Sequence, residues 1–148
     1  MKHSVILVGA DKGGVGKTTT CRGLLDYLIE RNVLSRAFDT ETPRGTLQRF
    51  HPDITEIVDL SQTAGQMRII DTLARTDVKA SVIDVRAGQM LRTLVALRDM
   101  GFLDAVAEKR FNFIVLHVLG PSIASLDEIA EAVPFTGDAQ YFLVKNKV

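Results

Sequence analysis

Ser4-Val5-Ile6-Leu7-Val8-Gly9-Ala10-Asp11-Lys12-Gly13-Gly14-Val15-Gly16-Lys17-Thr18-Thr19 runs from an apolar segment of strand length, through a glycine-rich turn, into a polar start of helix. That order of elements fixes the reading. Glycines carry no β-carbon, so the backbone N–H groups of Gly13, Gly14, Val15 and Gly16 can converge on phosphate oxygens, and a helix beginning near Lys17 directs its positive dipole end to the same spot. Lys17 then reaches the β- and γ-phosphates, Thr18 offers the hydroxyl that a phosphate loop uses as a Mg²⁺ ligand, and Thr19 extends the polar helix start. Beyond the loop, Leu24, Leu25, Leu28 and Ile29 fall at helical spacing, which predicts a helix to about Glu30.

The standard pattern G-x-x-x-x-G-K-[ST] opens on glycine, whereas this chain has Asp11 there, followed by Lys12. The run Lys12-Gly13-Gly14-Val15-Gly16-Lys17-Thr18-Thr19 resembles the deviant Walker A motif of the ParA/MinD family of ATPases. The resemblance implies that Lys12 is the family's second, signature lysine, which reaches across an ATP-bound dimer to the partner's phosphates. Asp11 places a carboxylate beside polyphosphate, which it repels unless its side chain points away, and the motif does not account for it.

Composition agrees with one globular domain over residues 1–148: 46% of residues are hydrophobic and 24% charged. Lys plus Arg and Asp plus Glu number 18 each, so no chain-wide basic field exists to hold nucleic acid, and DNA binding needs a local patch. The single cysteine, Cys21, cannot form an intramolecular disulfide, reads as a small buried side chain of the first helix and fits a reducing cytoplasm. No apolar run approaches the roughly 20 residues of a membrane span, and nothing marks the chain for export.

Strand-length apolar runs recur at Val5–Val8, Ala37-Phe38, Ser81–Val85, Phe111–Leu119 and Tyr141–Val144, with helical patterns between most of them. This alternation predicts a parallel α/β sheet, and the resemblance carried by the phosphate loop implies the P-loop NTPase fold, a three-layer, doubly wound and mainly parallel sheet with helices on both faces. Ser61 is expected to cap a helix that turns Met67, Ile70, Leu73 and Ala74 to the core and ends near Thr76. Met90, Leu91, Leu94, Val95, Leu97 and Phe102 form a further apolar face broken by Gly101, and the helix after Pro121 is expected to use Ile123, Leu126, Ile129, Ala130 and Val133. No helix follows the last strand to cover its side of the sheet, which predicts a shortened or minimal version of the fold.

In an open α/β sheet the chemistry sits at the carboxyl ends of the strands. Phe38-Asp39-Thr40-Glu41-Thr42-Pro43-Arg44-Gly45 is similar to the family's second acidic motif, with Glu41 where a second aspartate is usual and Pro43 and Gly45 one residue late. The resemblance implies that Asp39 orients or helps deprotonate the attacking water. A turn-capping role is the alternative. Val82-Ile83-Asp84-Val85-Arg86-Ala87-Gly88 resembles a Walker B strand entering switch II, which assigns Asp84 to the Mg²⁺ shell and Gly88 to a mobile backbone near the γ-phosphate. Ile69-Ile70-Asp71-Thr72 has the same local look, but Asp71 lies inside a helical periodicity and lacks the Ala-Gly sequel.

Leu143-Val144-Lys145-Asn146-Lys147-Val148 resembles the strand-end asparagine motif with which these ATPases contact adenine, Asn146 having an amide able to donate and accept at once; a turn residue is the alternative. His3, His51 and His117 lack metal-ligand spacing, so the metal expected is Mg²⁺. The resemblance to the ParA/MinD ATPases implies a slow ATP hydrolase, a cytoplasmic ATP-driven homodimer switch in plasmid or chromosome partition or an allied function such as conjugal transfer, with a partner protein stimulating turnover. A P-loop synthetase or kinase-like enzyme of the dethiobiotin or cobyrinic acid synthetase type is the other reading, with Arg44, Arg86 and Arg92 binding a small acid.

Overall fold

The computed structural model describes residues 2–41 and 45–146. Pro43 and Arg44 lie outside the described residues. Among the described residues, β1 (Ser4–Ala10), β2 (Ser35–Asp39), β3 (Thr55–Ile57), β4 (Ala80–Asp84), β5 (Asn112–Leu119) and β6 (Gln140–Lys145) form one sheet in the order β3-β2-β4-β1-β5-β6, every neighbouring pair parallel. Helices α1 (Lys17–Glu30), α2 (Thr46–Phe50), α3 (Thr63–Leu73), α4 (Met90–Asp99), α5 (Phe102–Ala107) and α6 (Ile123–Ala132) connect the strands.

The central strands are apolar on both sides because both sides are covered. Val5, Leu7 and Ile83 face one core with Ile69, Leu94, Leu97 and Phe102, whereas Ile6, Val8 and Val82 face a second core with Cys21, Leu25 and Leu47. The layers are therefore α3, α4 and α5 on one face, the sheet, and α1 with α2 on the other. The strand order reverses at β1, which lies between β4 and β5, so the crevice at that reversal opens at the end of β1, where the phosphate loop begins.

Several local expectations are corrected. Apolar spacing alone misses β3 and α2, which are only three and five residues long, and it shortens β2. Ser61 does not cap α3; Gln62 holds the N-cap position, and Ser61 instead gives its amide (2.9 Å) and hydroxyl (2.6 Å) to Asp59 in a tight turn. The inward face of α3 carries Gly65 and Ile69, with Leu73 partly buried, while Met67, Ile70 and Ala74 are exposed. Gly65 is small for a reason: a β-carbon there would overlap the Asp59 backbone. On α6 the inward residues are Ser125 and Ala132, and Ile123, Leu126, Ala130 and Val133 face solvent. An apolar stripe at helical spacing marks one face of a helix without saying which face the sheet takes.

Gly101 does break the apolar face after β4. Its φ of +82° ends α4 and starts α5. His117 is fully buried on β5, where its Nδ1 lies 2.5 Å from the Tyr141 hydroxyl of β6. Burial, then the neighbouring Glu128, pushes the Tyr141 hydroxyl up to about 12. Among the described residues no helix is long and apolar enough to cross a membrane.

Candidate nucleotide site

The turn between β1 and α1 is built by backbone that only glycine adopts readily. Gly14 and Gly16 have φ of +77° and +102°, and Gly16 is the N-cap of α1. Helix α1 has no side-chain cap and no acid in its first turn. Its leading N–H groups therefore face an open cavity of about 580 Å³ lined by Gly13, Gly14, Gly16, Lys17, Thr18 and Thr19 of the loop. Free helix N–H donors, a dipole's positive end and glycines without β-carbons suit a polyphosphate.

Lys17 is nearly buried and its Nζ forms an ion pair with Asp84 Oδ1 at the end of β4. Burial raises the pKa of Asp84, and Lys17 is the main influence holding it down; Asp39 and Glu41 push it further up. Parallel pairing sets Asp39 directly opposite Asp84, so two carboxylates stand side by side at the ends of β2 and β4. Both are almost inaccessible and neither lines the cavity directly.

Asp39 is occupied as an anchor. Its Oδ1 accepts the Glu41 N–H and its Oδ2 the Leu47 N–H, each at 3.0 Å, so the carboxylate caps α2 across the loop. Gly45 makes room for it, since a β-carbon at that position would overlap Asp39 Oδ2. The capping role weighed from sequence is thus the one seen here.

Thr40 ties the two acidic strand ends together. Its hydroxyl donates to the Asp84 carbonyl at 3.0 Å and accepts the Arg86 N–H at 2.9 Å. Sequence reading overlooks Thr40, and it overlooks Thr46, which enters the cavity beside Glu41, Arg86 and Ala87. Their signal is positional: each lies within two residues of a strand end or at a helix start on the loop side of the sheet.

Asn146 joins the cavity from the other flank. Its Nδ2 donates to the Val15 carbonyl at 3.1 Å, and a β-carbon on Gly16 would overlap that amide. Lys12 is exposed, forms no ion pair among the described residues and does not line the cavity. Asp71 sits on α3, away from all of these, as its periodicity predicts.

Comparison with known proteins gives the fold its company. No family model matches the chain. The sequence is 26% identical over 149 residues to Protein MobD of Acidithiobacillus ferrooxidans, covering 99% of this chain and 64% of that protein's length. A nucleotide-binding protein of Archaeoglobus fulgidus, solved in complex with ADP, superposes at a TM-score of 0.62 and 14% identity over 97% of this chain and 66% of its own. The signal recognition particle 54 kDa protein of Aeropyrum pernix, in complex with GDP, gives 0.52 at 14% identity over 100% and 42%. The cell division protein FtsY of Thermotoga maritima gives 0.55 at 13% identity over 100% and 63%. The chain has the α/β fold of P-loop nucleotide-binding proteins. It spans about two thirds of the curated relative it matches.

Proposed function

We propose that the protein is a Mg²⁺-dependent ATPase of the ParA/MinD type that ATP converts from monomer to dimer. One observation carries this reading: the phosphate loop holds two lysines with opposite placements, Lys17 buried against Asp84 and Lys12 exposed at the loop's head. When nucleotide enters, Lys17 would leave Asp84 for the phosphates, and Asp84 and Thr18 are the residues that would then hold Mg²⁺. Mg²⁺ supplies charge neutralisation on the phosphates; the protein contributes the loop N–H groups of Gly13 to Thr19, both lysines and the helix dipole. Lys12 serves the partner subunit's phosphates. Asn146 turns its amide from Val15 to the base. Asp39 reaches a water only once its carboxylate releases the Glu41 and Leu47 N–H groups, which makes slow turnover an expected property of the resting geometry.

The similarity to Protein MobD supports placing the switch among plasmid functions, conjugal transfer in particular. Light scattering with a slowly hydrolysed ATP analogue and Mg²⁺ tests the dimer. The wild type is expected to double in mass and Lys12→Ala to remain monomeric while still binding nucleotide; wild type that stays monomeric at saturation sinks the proposal.

A second reading rests on Arg86. It lines the nucleotide cavity and also a neighbouring cavity of about 520 Å³ that contains Arg92, Gln66 and Gln89. A small carboxylic acid held by Arg86 and Arg92 there would suit a P-loop synthetase. ATP-dependent phosphorylation or amidation of a panel of small acids separates the two.

A further inference from the structure

Asp11 occupies the head of the phosphate loop, yet its carboxylate is directed elsewhere. Its Oδ1 accepts the Ser125 hydroxyl at 2.7 Å, and Oδ2 accepts the Ser122 hydroxyl at 3.4 Å. Ser125 is buried, and its oxygen also accepts the Gly120 N–H at 3.0 Å, so a chain of donors runs from Gly120 through Ser125 into Asp11. Donors linked in this way polarise one another.

The helix that receives Asp11 is prepared for it. Ser122 is the N-cap of α6 but its side chain makes no cap hydrogen bond, and α6 has no acid in its first turn. Asp11 supplies the negative charge that this N-terminus lacks. Space is tight around the contact: a β-carbon on Gly120 would lie 3.1 Å from Val15 Cγ1, 3.3 Å from Ser125 Oγ and 3.4 Å from Asp11 Oδ1. From the other side, the Gly88 N–H donates to the Ala10 carbonyl at 2.8 Å, joining the loop after β4 to the same point.

We infer that Asp11 is a positioning residue that fastens the head of the phosphate loop to α6, and that Ser125 and Ser122 hold its charge away from the nucleotide. The inference rests on the proposal that the cavity takes ATP. Loss of the serine hydroxyls releases a carboxylate next to a polyanion; loss of the carboxylate's charge removes that penalty. The two changes must therefore offset each other, which a merely structural contact does not require.

The test measures ATP and AMP affinity for the wild type, Ser125→Ala, Ser122→Ala, Asp11→Asn and the double variant Asp11→Asn/Ser125→Ala. Ser125→Ala is expected to weaken ATP binding about tenfold, with a smaller effect on AMP and a defect that shrinks as salt rises. Ser122→Ala, at the longer contact, gives a weaker effect of the same sign and serves if Ser125→Ala folds poorly. The double variant is expected to regain most of the lost affinity. Losses that simply add in the double variant, or that are equal for ATP and AMP and insensitive to salt, overturn the inference while leaving the ATP site intact. A wild type that binds neither nucleotide overturns both.

Discussion

Replacing Lys17 by alanine is expected to abolish measurable nucleotide binding, a loss of at least ~100-fold, and to destabilise the protein before any nucleotide is added. Both effects come from one side chain. In the resting protein Lys17 neutralises Asp84, a carboxylate buried at the end of β4. Removing one partner of a buried ion pair strands the other charge, typically at about 3–5 kcal/mol. Here the cost falls toward the lower end, because burial has already raised the pKa of Asp84 and protonation offers a way out.

The pH dependence has a definite sign. A carboxyl whose folded pKa lies above its unfolded value loses stability as pH rises through the folded value, so the deficit of Lys17→Ala shrinks on acidification. Urea unfolding at two pH values checks this. The double variant Lys17→Met/Asp84→Asn should recover stability without recovering binding.

Asp39→Ala is expected to cost about 2–4 kcal/mol and to stop hydrolysis. The stability loss follows from two backbone donors, Glu41 and Leu47, left without an acceptor, each worth roughly 1–3 kcal/mol when buried. The loss of turnover follows only if Asp39 also positions water, and Asp39→Asn separates the two roles. An amide oxygen keeps one of the two acceptors while its NH₂ confronts the other N–H, so Asp39→Asn should fold with reduced stability. Hydrolysis near the wild-type rate in that folded variant would confine Asp39 to capping α2. Gly45→Ala should reproduce the instability, because its β-carbon overlaps Asp39 Oδ2.

How much of this was legible in the sequence depended on whether one segment carried its own evidence. The loop between β1 and α1 did, because strand, glycines, lysine and helix are contiguous, and the long strands did, because sheets covered on both faces leave continuous apolar runs. Asp84 could be told from Asp71 by periodicity, a local signal. The burial of α3 and α6 could not be read. Met67 and Ile70, like Ile123 and Leu126, make apolar stripes that the sheet does not take, and small residues such as Gly65 and Ser125 face inward instead. Asp11 was illegible for a similar reason: its partners lie more than a hundred residues away, on a helix whose register against the loop no spacing reveals. Thr40, bridging the ends of β2 and β4, belongs to the same class.

The central claim is that the cavity at the end of β1 binds ATP with Mg²⁺, and calorimetric titration of ATP into the 148-residue protein, with and without Mg²⁺, tests it most directly. One site per chain, tightened by Mg²⁺ and lost in Lys17→Ala, is the result expected. No heat of binding at millimolar ATP, or equal binding by wild type and Lys17→Ala, would contradict it.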